Sequence, residues 1–368
     1  MSLQEEIDSQ RSEIRTDAYS MSIGEWVSLY EGGEVDVHPE FQRFFRWEPE
    51  QKTKLIESIL LGIPIPPIFV AQRRDGIWDV VDGLQRLSTI FQFVGILKDE
   101  ESKPIDPLVL DATKYLPSMN GKKWEDPYDA GNSFSPAQRL AIKRSKIDVS
   151  IILKESDENA KYELFQRLNT GGTPLSPQEV RNSILVMLNR DLYRWMRELS
   201  QDDAFKDVIA LTDRAIEEQY DMDLVTRFLV FRTLPQEELV NIGEMGDFLT
   251  EKVMTFARQN TLDRVREQAI FRGTFALLRE SIGSDAFRRF DIAKQRFLGG
   301  FLVSSFEVVS LGVAFNFEDY TGAAPPNLKD RVASIWSNPE FTDNSGSGVR
   351  ASSRVPYTIP LGRRLFAK

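Results

Sequence analysis

The sequence predicts an α+β protein, with a mixed N-terminal half built on a small sheet and a mainly helical second half. Three observations predict it. Asp75-Gly76 sits between two apolar runs, the strongest short-range signal for a hairpin. After about residue 190, strand patterns become scarce while apolar residues continue at three- and four-residue steps as far as Asn316. At 368 residues the chain is long enough for two compact units.

Composition narrows the function classes. Hydrophobic residues at 41% and charged residues at 28% describe an ordinary globular protein. Lys and Arg total 46 against 56 Asp and Glu, a net charge of −10. That balance excludes a general coater of duplex DNA, whose affinity comes from many neutralised phosphates, but leaves room for local basic patches. The absence of cysteine excludes disulfides, thiolate zinc sites, iron–sulfur clusters and cysteine nucleophiles. With His38 as the single histidine, no histidine pair and no histidine-metal nuclease can be assembled within one chain. Met1 to Arg15 is polar and reads as neither a secretory signal nor a transit peptide, and no apolar run reaches membrane-spanning length. A cytoplasmic protein without a membrane partner is expected.

Taken in order, residues 1–18 are charged and read as an N-terminal arm. Ser22 to Tyr30 has helical spacing and stops at Gly32-Gly33. Val35-Asp36-Val37 leads through His38-Pro39 into Phe41-Gln42-Arg43-Phe44-Phe45-Arg46-Trp47, a dense block of aromatics with an amide and two arginines. Pro49 opens a helix with Leu55, Ile56, Ile59 and Leu60 inward, and Gly62 closes it. The prolines between Ile63 and Pro67 force an extended connector. Ile68 to Arg73 and Ile77 to Val81 are the hairpin strands, and the second delivers Asp82. Behind the turn at Asp82-Gly83, Leu84, Leu87, Ile90, Phe91, Val94 and Leu97 share a helical face, leaving Gln85, Ser88, Thr89 and Gln92 on the opposite one. From Leu97 to about Phe134, prolines and charges suggest an irregular excursion. Ser135-Pro136 starts a helix carrying Arg139, Lys143 and Arg144, and Ile147 to Leu153 reads as a third strand.

Asn159 to Leu168 reads as a helix that ends at Asn169-Thr170-Gly171-Gly172. Ser176-Pro177-Gln178-Glu179 is a capping box, and its helix presents Val180, Ile184, Leu185 and Leu188 to a core with Arg181 and Asn182 towards other faces. Helical patterns follow at Leu224 to Leu234, Phe248 to Ala257, Ala269 to Leu278 and Phe297 to Val308. The change of composition places a domain boundary near Asn189, giving domains at 19–189 and 190–320 and a C-terminal extension at 321–368. Within that extension Asn344 to Ser353 reads as a mobile loop, and Val355 to Lys368 as a strand or an arm.

Asp82-Gly83-Leu84-Gln85-Arg86 carries the sharpest chemistry. It sets an acid, an amide and a guanidinium at a helix start, where free N–H groups and the positive end of the dipole favour an anion. The same residues also fit an ordinary β-turn-α connection with its polar side chains in water. In the aromatic block, Gln42, Arg43 and Arg46 could hold phosphate while Trp47 or Phe44 stacks on a base, though aromatics at this density also build cores. The glycines of Asn169 to Gly172 cap a helix and would also let backbone amides approach phosphate. Arg139 to Lys146 reads as a solvated basic face, with nucleic-acid contact as the alternative, Asp223 and Arg227 at i,i+4 as a surface ion pair, and His38 as a turn residue. Neither a GxxxxGK[ST] loop nor a GxGxxG unit is present.

Several blocks in order carry a resemblance: Phe41-Gln42-Arg43-Phe44-Phe45-Arg46-Trp47, Gly62-Ile63-Pro64-Ile65-Pro66, Asp82 to Thr89, Phe165-Gln166-Arg167-Leu168-Asn169-Thr170-Gly171-Gly172 and Leu175 to Asn182. The chain resembles the N-terminal domain family of the GmrSD-type modification-dependent restriction endonucleases, which is similar in fold to the ParB and sulfiredoxin group. The resemblance implies a ParB-like nucleotide-binding domain that hydrolyses or senses nucleoside triphosphate, with Mg2+ as the expected cofactor, and controls a DNA nuclease in defence against foreign or modified DNA. The family's Asp-Gly-Gln-Gln-Arg run carries over to Asp82, Gly83, Gln85 and Arg86, with Leu84 at the first glutamine. Under that reading Asp82 binds Mg2+, Gln85 positions the attacking water and Arg86 stabilises phosphate charge. Gln42, Arg43, Arg46, Trp47, Gly83, Ser88, Arg167, Asn169, Gly171 and Gly172 would line the nucleotide and its phosphates. The single histidine implies a stand-alone form without the family's histidine-metal nuclease domain, so cutting would come from a separate nuclease subunit; DNA and a second copy of the chain are further partners to test.

Overall fold

The computed structural model describes Leu3 and residues 15–37, 47–99, 101–156, 176–240, 242–320, 325–346 and 348–368. The chain divides into two compact units, Met1–Pro174 and Leu175–Lys368.

Five strands form the sheet of the first unit: β1 (Thr16–Ser22), β2 (Val35–Asp36), β3 (Ile68–Gln72), β4 (Trp78–Asp82) and β5 (Lys146–Ile152). Their order is β1-β5-β3-β4-β2. The β1–β5 and β3–β4 pairs are antiparallel, and the β3–β5 and β2–β4 pairs are parallel, so the sheet is mixed as expected. The β3–β4 hairpin turns at Asp75-Gly76. Gly76 takes φ +92°, the Arg73 N–H donates to the Ile77 carbonyl at 2.8 Å, and the Asp75 side chain accepts from the Ile77 N–H at 3.1 Å. Glycine adopts that φ without steric cost, and aspartate supplies the local acceptor.

Among the described residues the first unit also has four α-helices: α1 (Ile23–Glu31), α2 (Pro49–Leu61), α3 (Leu84–Val94) and α4 (Pro136–Arg144). Capping boxes start α1 at Ser22 and α4 at Ser135, and Gly62 at φ +69° ends α2. Trp26 of α1, Ile56 of α2, Ile68 of β3, Leu87 and Phe91 of α3 and Val149 of β5 are fully buried in one core. Each such side chain stabilises the fold by about 1.5–3 kcal/mol relative to exposure. β1 begins inside the stretch that the sequence reads as an arm. Only Met21 of its side chains is buried, so apolar patterning is weak and the strand is held by its seven-residue register with β5.

The second unit is helical: α5 (Pro177–Ser200), α6 (Asp203–Ile209), α7 (Asp213–Glu217), α8 (Tyr220–Thr233), α9 (Met245–Gln259), α10 (Arg264–Ser281), α11 (Val303–Phe315), α12 (Leu328–Ser334), α13 (Pro339–Thr342) and α14 (Ala351–Leu365). α5 starts at the expected capping box, with the Glu179 N–H donating to Ser176 Oγ at 3.2 Å. It continues past Asn189, which leaves helical geometry at φ −157° and ψ 84°. The change of composition near 189 thus falls at a kink inside a helix. The compact units part earlier because α5 packs against α8 and α9. Phe205, Phe228, Phe271, Phe275, Phe287 and Phe306 interlock through this core, edge to face or tilted except for the stacked Phe275–Phe306 pair, with centroids 4.6–6.5 Å apart.

Two readings need correction here. Phe297 belongs to a short hairpin, β6 (Arg289–Asp291) and β7 (Arg296–Leu298), and not to a helix. The C-terminal segment forms α14 in place of a strand or an arm. Tyr357-Thr358-Ile359 favours a strand locally, but α14 packs along α11, where Gly312 and Gly362 let the two backbones meet. Among the described residues, no helix is long and apolar enough to cross a membrane.

Candidate functional site

β4 ends at Asp82 and α3 begins at Leu84, so Gly83 alone makes the turn. Its φ of +95° is left-handed, and a Cβ there would run into Ile68 Cδ1 and lie 3.2 Å from Arg86 Nη2. Backbone conformation and space both demand glycine. Among the described residues no side chain caps α3, and the amides of a helix's first turn carry partial positive charge.

Arg86 is engaged within the fold. Its Nη2 donates to Asp82 Oδ2 at 2.7 Å, and its Nη1 donates to the carbonyls of Pro67 at 3.2 Å and of Pro66. One guanidinium therefore ties the proline-rich connector to the turn. The Asp82 side chain remains 37% exposed while that of Arg86 is 11% exposed, so the acid is the reachable member of the pair.

Behind the turn, the expected polar face is largely covered, with Gln85 and Gln92 half-buried. Ser88 and Thr89 are fully buried; Thr89 Oγ1 donates to the Gln85 carbonyl at 2.7 Å, and Ser88 Oγ has no hydrogen-bond partner among the described residues. α3 is covered on both faces because it lies within the unit and not upon it. Further along, Gln92 accepts from Lys52 Nζ at 3.1 Å and donates to the Asp106 carbonyl at 3.1 Å.

The structure thus brings Asp82, Gly83, Gln85, Arg86 and Ser88 together on one turn and its helix. Trp47 is half-buried and packs against the core of the first unit. Phe44, Gln42, Arg43, Arg46, Arg167, Asn169, Gly171 and Gly172 lie outside the described residues. Among the described residues no three acids or histidines gather as a metal centre. Asp82 alone suits Mg2+ only in the manner of an ion that arrives on a triphosphate, which needs one or two carboxylates and keeps its other ligands as phosphate and water.

Sequence reasoning missed a second charged centre, in the helical unit. Asp223 accepts from Arg227 Nε at 2.6 Å and from Arg181 Nη1 at 3.2 Å. Glu307, fully buried, accepts from Arg354 Nε at 2.8 Å and Nη2 at 2.9 Å and from Thr358 Oγ1 at 3.1 Å, with Arg227 Nη1 at 3.7 Å. Arg181 also donates to Thr250 Oγ1 at 3.3 Å and to Gln178. Asp223 and Arg227 are therefore not a surface pair, and Arg181 and Asn182 do not face away from the core. Burial favours a neutral Asp223, but the Arg227 and Arg181 guanidiniums outweigh it and hold the carboxyl below its usual range. Burial foremost, with the Asp223 and Glu307 carboxylates working against the Arg227 and Arg354 guanidiniums, pushes the nearby Tyr220 hydroxyl up to about 12. The i,i+4 spacing of Asp223 and Arg227 was the one available signal, and it could not tell a buried pair from an exposed one. The basic helix α4 agrees better with expectation: Lys143 and Arg144 are exposed, and Arg139 pairs with Glu125 at 2.8 Å.

Residues 23–186 match the family described as the GmrSD restriction endonuclease, N-terminal domain. No curated protein matches the chain. The matched stretch contains all of the Asp82 turn and ends within α5.

Proposed function

Residues 23–186 belong to the family of the GmrSD restriction endonuclease N-terminal domain, and from that membership, with its role in restriction and phage defence, we propose that this protein is a nucleotide-binding, nucleoside-triphosphate-hydrolysing regulator of a DNA-restriction system. The observation that carries the reading is the Asp82 turn: an uncapped helix start opened by a left-handed glycine, with a reachable carboxylate beside it. The first-turn amides of α3 would take the phosphate charge. Asp82 would hold the Mg2+ that comes with the triphosphate, and that ion neutralises the phosphate oxygens. Gln85, one turn position behind Leu84, would orient the attacking water, since phosphoryl transfer asks a protein mainly for positioning and charge stabilisation. Arg86, bound to Asp82 and to the Pro66 and Pro67 carbonyls, is proposed to position the acid.

Purified protein is expected to release phosphate from at least one of ATP and GTP in the presence of Mg2+, and Asp82→Ala to abolish the release. Nucleotide with Mg2+ should also raise the melting temperature, because a ligand of the folded state stabilises it. Release no greater than that of Asp82→Ala rejects hydrolysis. If no nucleotide moves the melting temperature either, the reading becomes a DNA-binding or protein-binding adaptor without turnover.

A further inference from the structure

The hairpin of the second unit lies beyond the stretch matched to the family, and its two strands carry opposite chemistry on their two faces. Cross-strand partners are Arg289 with Leu298, Phe290 with Phe297 and Asp291 with Arg296. Side chains alternate along a strand, so the Phe290–Phe297 pair takes one face while Arg289, Asp291, Arg296 and the half-buried Leu298 share the other. The two rings meet edge to face with centroids 5.0 Å apart and are half-buried. The aromatic face is thus partly covered, while the cations reach solvent. Arg289, Lys294 and Arg296 are exposed. Neither Arg289 nor Arg296 has an acidic partner among the described residues, and Lys294 reaches Asp291 only at 3.9 Å.

Three exposed cations on a short ribbon are unexpected in a chain of net charge −10. The exposed cations of α4 have a structural explanation, since Lys143 and Arg144 occupy its last turn, where the dipole favours positive charge. On the hairpin, Asp291, opposite Arg296 and 3.9 Å from Lys294, is one acid among three cations. Arg289 and Arg296 are diagonal cross-strand neighbours, about 7–8 Å apart by the geometry of antiparallel pairs, which is of the order of the step between adjacent phosphates on one strand. A two-stranded ribbon also has the width that the major groove of a DNA duplex admits.

We propose that the β6–β7 ribbon is a docking surface for duplex DNA, with Arg289, Lys294 and Arg296 contacting backbone phosphates. Its contacts position the duplex without reading sequence. The surface belongs to the other compact unit from the Asp82 turn, and its occupancy does not depend on nucleotide hydrolysis.

The test uses the full chain and a fluorescein-labelled duplex of about 30 base pairs, long enough to span several phosphate contacts, read by anisotropy over a salt series. Wild type is expected to bind at low salt. Arg289→Gln/Lys294→Gln/Arg296→Gln should bind at least about tenfold more weakly, and the slope of log K against log salt should fall by about one per lost contact, roughly three in all. Phosphate release and melting temperature should not change, which separates failure here from failure of the nucleotide reading. If the triple variant melts lower, Arg289→Lys/Arg296→Lys keeps the charge and should retain binding. The proposal is overturned if wild type ignores the duplex at low salt, if the triple variant binds like wild type, or if Lys143→Gln/Arg144→Gln/Lys146→Gln loses binding and the hairpin variant does not. Binding of poly-L-glutamate in place of duplex would identify an acidic protein partner and also overturn it.

Discussion

Gly83 shows how much one residue can decide. Its left-handed backbone and the close approach of Ile68 leave no room for a side chain, so Gly83→Ala is expected to destabilise the protein by about 1–3 kcal/mol through backbone strain and overpacking. Any nucleotide-induced rise in melting temperature should shrink with it. A calorimetric melt with and without nucleotide measures both, and an unchanged melting temperature would contradict the geometry. The glycine was legible in the sequence, as an Asp-Gly turn between a strand and an apolar helix. Ser88 was not: helical periodicity placed it on a polar face, and only the neighbours of α3 determine that this face is buried.

At the scale of elements, starts and stops were the readable part. Ser22, Ser135 and Ser176 cap the helices they announce, and Gly62 closes α2, because these signals act within four residues of the chain. α14 is the counterexample. Pro356 and Pro360 lie inside it and its central residues favour a strand, yet it is helical because it closes on α11. A Cβ on Gly312 would run into the Gly362 carbonyl, and one on Gly362 into the Val308 carbonyl. Gly362→Ala is therefore expected to cost about 1–3 kcal/mol or more, although alanine is the better helix former by nearly 1 kcal/mol. Chemical denaturation would read the sign: a more stable variant would mean that the two helices do not cross so closely.

For the molecule as a whole, charge is distributed by depth. The second unit buries Arg181, Asp223, Arg227, Glu307 and Arg354 across α5, α8, α11 and α14, and such a network costs desolvation that only well-made pairs offset. It also makes stability depend on pH. Asp223, held below its usual range, binds fewer protons in the folded chain than at its unfolded value of about 3.9. Its contribution is present above that value and is lost as pH falls through the folded one. Burial raises Asp221 despite its hydrogen bonds, so this acid has the opposite sign and is relieved by acid. Asp223→Asn is expected to melt lower than wild type near neutral pH, and the gap should narrow between about pH 5 and about pH 3. A gap that stays constant would remove Asp223 as a source of acid sensitivity.

The sequence by itself determined the class of fold, the β3–β4 hairpin, most helix starts and the turn at Asp82, because caps, turns and periodicity are local and act through the backbone nearby. Only the tertiary structure decided that Arg86 clamps the Pro66 and Pro67 carbonyls, that both faces of α3 are covered, and that the Asp223 pair lies inside a five-charge network. Those outcomes join residues 19 to 80 positions apart. The desolvation and pairing that fix them exist only once the helices and connectors have packed.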